Sequence, residues 1–100
     1  MILEIADIQI HPGQRAAFEA ALQHAASTVI SQAQGMLGWT VSRGVESPCR
    51  YVLQVVWATL EDHTVGFRQG PLFADWRAIV GPYFAQPPAV EHFALVGKSD

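Results

Sequence analysis

The stretch Tyr51-Val52-Leu53-Gln54-Val55-Val56-Trp57 decides the fold. Every residue except Gln54 is apolar, and β-branched and aromatic types dominate, which suits a strand. Because successive strand side chains point to opposite faces, a run this apolar must be covered on both sides. The run therefore predicts a central strand, helices against one face and a second apolar surface against the other.

Upstream, Glu46-Ser47-Pro48 reads as a turn, and Met36 to Val45 as a strand with Leu37, Trp39 and Val41 on one side. Gln34-Gly35 closes a long Ala-rich helix that begins at Gln14 and runs to about Ala33, with Phe18, Leu22, Ala25 and Val29 at helical spacing. His11-Pro12-Gly13 separates that helix from a first strand, Ile2 to Ile10, with Ile2, Ala6, Ile8 and Ile10 on one side.

Downstream, Thr59 is placed to cap a helix from Leu60 to near Gly70, with Asp62 completing a short capping box. Pro71 opens a further helix whose stripe is Leu72, Phe73, Trp76, Ile79 and Val80, ending at Gly81-Pro82. Tyr83 to Pro88 is a loop, Val90 to Val96 a last strand, and residues 98–100 a fraying tail. The order β-α-β-β-α(α)-β defines an α+β class, the ferredoxin-like split βαβ, in which a four-stranded antiparallel sheet carries its helices on one face. The open sheet face predicts a homodimer, sheet against sheet.

Composition agrees with that expectation. One hundred residues make one domain, 1–100 with 1–97 ordered, and 50% hydrophobic with 15% charged residues is apolar for so short a chain. Net charge is −3 and the six Lys and Arg are scattered singly, so no basic stripe exists for nucleic acid. Glu4 and Asp7 interrupt the apolar start, which does not fit a signal peptide, and no apolar run reaches membrane-spanning length. A soluble, cytoplasmic protein is expected. Cys49, the lone cysteine, falls in the hairpin loop and cannot form an internal disulfide.

Four histidines occur, at 11, 24, 63 and 92, without the spacing of a zinc site, and no phosphate loop or nucleophile elbow is present. No metal and no cofactor is expected from these motifs. His63 lies three residues after Leu60 and four before Phe67, along the apolar stripe. There it either borders a cavity and moves a proton near neutral pH, or is a core histidine bonded to a backbone carbonyl. Trp57, Trp39, Phe67, Phe73, Trp76 and Tyr83 are candidate aromatic walls, with His63, Arg68, Gln54 and His92 as polar groups for a planar organic ligand. Arg68 and Arg77 are suited to stabilise an anion. Of Glu91 and His92, neighbours on a strand, at most one faces inward.

The run Trp57-Ala58-Thr59-Leu60-Glu61-Asp62-His63-Thr64-Val65-Gly66-Phe67-Arg68, followed by Pro71-Leu72-Phe73-Ala74-Asp75-Trp76, resembles the central signature of the antibiotic biosynthesis monooxygenase family. Pro12-Gly13, Gly35-x-x-Gly38 and Val90-Glu91-His92-Phe93 extend the resemblance over nearly the whole chain. It implies a dimeric α+β barrel of two back-to-back sheets, and oxidation of polyketide phenols or quinols by molecular oxygen without metal, flavin or haem. His63 and Arg68 would then be the catalytic candidates, and Trp57, Phe67, Phe73, Trp76, Trp39, His92 and Tyr83 would bind the small aromatic substrate. Two departures stand out. Members acting on anthrone-like substrates use a pocket asparagine, and this chain contains none. Haem-degrading members use a histidine on the third helix, where this chain has Trp76-Arg77. A non-catalytic binding dimer and, third, a haem-binding protein are the alternatives.

Overall fold

In the computed structural model, which describes residues 1–100 throughout, the sheet consists of β1 (Ile2–Gln9), β2 (Met36–Arg43), β3 (Arg50–Trp57) and β4 (Ala89–Phe93). Its order is β2-β3-β1-β4 and every pairing is antiparallel. The apolar run lies at the centre, as its composition requires. Helix α1 (Arg15–Thr28), a π-helical segment (Asp62–Phe67) and helix α2 (Pro71–Val80) cover one face. This is the split βαβ arrangement of ferredoxin-like α+β proteins.

Alternation divides the strands cleanly. Glu4, Ala6, Ile8 and Ile10 from the first strand, and Tyr51, Leu53, Val55 and Trp57 from β3, are buried under the helices. Phe18 and Leu22 of α1, with Trp76 and Val80 of α2, close that core. Gln54 alternates outward with Val52 and Val56, so it cannot line a cavity beneath the helices. Leu37 is also displaced: it is the extra residue at an irregularity between Met36 and Gly38, and it is exposed while Trp39 and Val41 stay on the helix side.

Several element boundaries differ from the sequence pattern: β1 stops at Gln9 and β2 at Arg43, short of Ile10 and Val45, and three others differ for reasons visible in the structure. Helix α1 ends at Thr28 and passes into a 3₁₀ turn at Ile30–Gln32, because Thr28 and Ser31 hydroxyls donate to the His24 and Ala26 carbonyls across a β-branched run. Between Asp62 and Phe67 the backbone widens to a π-helix, marked by the Arg68 N–H donating to the His63 carbonyl at 2.9 Å. The widened turn leaves Leu60 exposed and buries His63 and Phe67 together. The last strand spans Ala89–Phe93, and Leu95 and Val96 beyond it are exposed.

The capping box forms: Asp62 N–H donates to Thr59 Oγ1 at 3.1 Å and Thr59 N–H to Asp62 Oδ2 at 3.2 Å. Gly35 makes room for it. That glycine has φ +81°, and a Cβ there would fall on the Asp62 carboxylate.

At the opposite end of the sheet, Tyr51 Oη donates to Glu19 Oε2 at 2.6 Å, and Arg43 grips the same carboxylate through two N–H donors. Arg43, then Tyr51, holds the Glu19 carboxyl down to about 2. A carboxyl depressed in the folded state stabilises above its ordinary value and loses that contribution as pH falls through its folded value. Between about pH 4.5 and 2, Glu19→Gln should therefore flatten the acid loss of stability relative to the parent chain. Urea midpoints measured across that range check it; parallel curves for the two proteins would rule it out.

Candidate functional site

The segment that begins at Trp57 and ends at Trp76 brings a polar line and an aromatic column together under the helices. Trp57 closes β3 fully buried, and its Nε1–H donates to Glu4 Oε1 at 2.9 Å. His63, on the π-helical segment, stacks on Trp57 with ring centroids 5.1 Å apart and 22° between planes. Its Nε2 faces Glu4 Oε1 at 3.4 Å, and its Nδ1 shares a hydrogen bond of 2.7 Å with His92 Nε2. Glu4 and His92 are direct cross-strand partners on β1 and β4, which is why both reach the same imidazole.

Burial sets the protonation of this line. It lifts the Glu4 carboxyl above its ordinary 4.5, against the opposing Trp57 hydrogen bond and the Arg68 charge. It also drives His63 down to about 4, with His92 and Arg68 adding to the effect. Near neutrality His63 is therefore uncharged, so its 3.4 Å approach to Glu4 is a polar contact rather than an ion pair. With Glu4 ionised, one tautomer satisfies both contacts: His63 Nε2–H points to Glu4 and Nδ1 accepts from His92 Nε2–H.

Beside this line opens a cavity of about 1020 Å³ between helices and sheet. Its lining includes Glu4, His63, Phe67, Arg68, Phe73, Trp76 and Arg77. Phe67 meets Phe73 edge-on at 5.8 Å, and the Arg77 guanidinium lies 5.9 Å from the centre of the Phe73 ring. Apolar walls with a few convergent polar groups are the make-up of a small-molecule site.

The residues expected from the sequence divide accordingly. His63, Arg68, Phe67, Phe73 and Trp76 line the cavity together. Trp57 and His92 stand outside its wall and hold Glu4 and His63 instead. Trp39 is half-buried on β2 opposite Val55, and Tyr83 packs on Phe18 at 5.8 Å; neither lines the cavity. Of the pair at 91 and 92, His92 turns inward and Glu91 is exposed. Glu4 is the residue that pattern reading passes over, although it occupies an inward position in step with Ala6, Ile8 and Ile10, where a charge is conspicuous.

Sheet, helical cover and cavity together define a ferredoxin-like α+β protein with a cavity between helices and sheet. The chain belongs to the antibiotic biosynthesis monooxygenase family, which it matches over residues 1–79. It is 38% identical over 93 residues to the uncharacterised protein YczJ of Bacillus subtilis strain 168, covering 93% of this chain and 97% of that one. A crystal structure from Bordetella bronchiseptica, assigned to the antibiotic biosynthesis monooxygenases, superposes with a TM-score of 0.90 at 43% identity, over 95% of this chain and 96% of the other. The cofactor-independent oxygenase SnoaB of Streptomyces nogalater shares the fold, with a TM-score of 0.81 at 16% identity over 97% and 94% of the two chains. No helix is long and apolar enough to cross a membrane.

Proposed function

We propose that this protein is a monooxygenase that takes a small aromatic or quinol-type substrate into the helix–sheet cavity and oxidises it with molecular oxygen. The observation that carries this reading is the proton-handling line of Glu4, His63 and His92 set against an aromatic-walled cavity. A phenol deprotonated there becomes electron-rich enough to reduce oxygen itself, so the protein supplies orientation, exclusion of water and charge stabilisation. Phe67, Phe73 and Trp76 present flat apolar surface to the ring, and Arg68 offers a fixed positive charge to the phenolate. The SnoaB likeness supports the fold that such chemistry can use, and family membership supports the reaction class.

We place the partner of the open sheet face as a second copy of this chain. Register aligns Gly38, Val56, Leu3 and Phe93 in one apolar row across all four strands. Phe93 remains 44% exposed at its end, which fits a surface awaiting cover.

Oxygen uptake against a panel of quinols and anthrones tests the oxygenase reading. Turnover of at least one compound is expected, and His63→Ala should lower its kcat by at least about tenfold. Uptake with none of them would leave a binding protein without oxygenase chemistry, and an unaffected His63→Ala would remove His63 from the reaction.

A further inference from the structure

We infer that Glu4 is the group that exchanges a proton with the cavity's ligand, and that His63 is a positioning residue for it. The inference rests on the reading of the cavity as a site for phenolic molecules. Glu4 Oε1 is occupied: it accepts the Trp57 Nε1–H and faces His63 Nε2. Glu4 Oε2 takes part in no hydrogen bond, yet no buried side-chain oxygen or nitrogen lacks a partner. Oε2 therefore reaches accessible space, and the space Glu4 borders is the cavity.

His63 is differently placed. Its Nδ1 is taken up by His92 at 2.7 Å, and its Nε2 faces Glu4 Oε1 at 3.4 Å, the carboxylate oxygen that Trp57 already holds. Burial strengthens Glu4 as a base while it weakens His63, which takes up a proton only near pH 4. The imidazole is thus the less basic of the two, and it stands against the carboxylate oxygen rather than bonding to it. Trp57 holds the carboxylate by its hydrogen bond, and His92 holds the imidazole.

The step is a single proton transfer. The ligand's O–H bond breaks, an O–H bond forms at Glu4 Oε2, and the electron pair stays on the ligand oxygen. The resulting anion shares the cavity with Arg68 and Arg77, neither of which is paired with a carboxylate. Neutralising Glu4 at the same moment keeps two negative charges from meeting in a poorly solvated space.

The test uses 4-nitrophenol, whose ionised form is coloured, without oxygen so that no turnover intervenes. At about pH 6, where the free probe is mostly uncharged, the bound probe should be coloured in the unmodified protein, without releasing a proton into a weakly buffered indicator solution. Glu4→Gln keeps an acceptor for Trp57 and should bind the probe within about threefold. Its bound probe should titrate with pH and release one proton for each ion formed. Glu4→Asp should recover part of the original behaviour, and His63→Gln should keep the internal proton balance while lowering the coloured fraction.

Proton release by the unmodified protein, or a Glu4→Gln variant that still colours the probe without release, would overturn the assignment. Loss of the internal balance in His63→Gln alone would return the role to His63. No binding at all would overturn the cavity reading itself, and the inference with it.

Discussion

Trp57→Ala is expected to destabilise the protein severely. Trp57 is fully buried at the end of the central strand, packs on His63 and Phe67, and donates to Glu4. Removing a buried indole costs about 3–5 kcal/mol through lost transfer energy and the cavity left behind. A domain of this size has roughly 5–15 kcal/mol in all, so a large share of its margin would go. At about 4–8 °C per kcal/mol, the thermal midpoint should fall by about 12–40 °C.

Trp57→Phe separates packing from the hydrogen bond. It keeps most of the ring but withdraws a donor from a buried carboxylate, which costs about 1.5–3 kcal/mol. With that donor gone, the Glu4 carboxyl should also move further upward in pKa. Thermal melts and guanidinium unfolding of the two variants measure both contributions. A Trp57→Ala midpoint within a few degrees of the parent would contradict the role given to this residue.

The second large effect concerns the face without helices. If a second copy covers the row of Gly38, Val56, Leu3 and Phe93, Leu3 lies near the middle of the contact on a central strand. Leu3→Arg would then place a charge, twice over by symmetry, against an apolar surface. The dimer should weaken by at least about 10³-fold and run as a monomer at micromolar concentration. Gln23→Arg, exposed on α1 on the opposite side of the sheet, should leave assembly nearly unchanged. Light scattering after size exclusion reads both, and a parent chain that is already monomeric would defeat the proposed pairing.

The two variants probe different halves of the same sheet. Inward residues of β1 and β3 hold the helices and the cavity, while their outward neighbours supply the apolar row. One strand therefore contributes to both features through strict alternation. This also explains why Gln54, next to two deeply buried neighbours, has no part in the site.

Local pattern alone settled the architecture. A run such as Tyr51 to Trp57 can only be a central strand, and capping at Thr59, Pro71 at a helix start and Gly35 at a turn all depend on neighbours a few residues away. The same local logic brought His63, Phe67, Phe73 and Trp76 to one cavity, since they share a single short segment. What tertiary structure alone decided was the company His63 keeps. Glu4 and His92 are 88 residues apart in the chain, and only the β1–β4 register makes them neighbours, at either side of one imidazole. Burial of that cluster then reordered its basicities, raising the carboxyl and lowering the histidine, because desolvation depends on everything packed around a group and on nothing in its own sequence position.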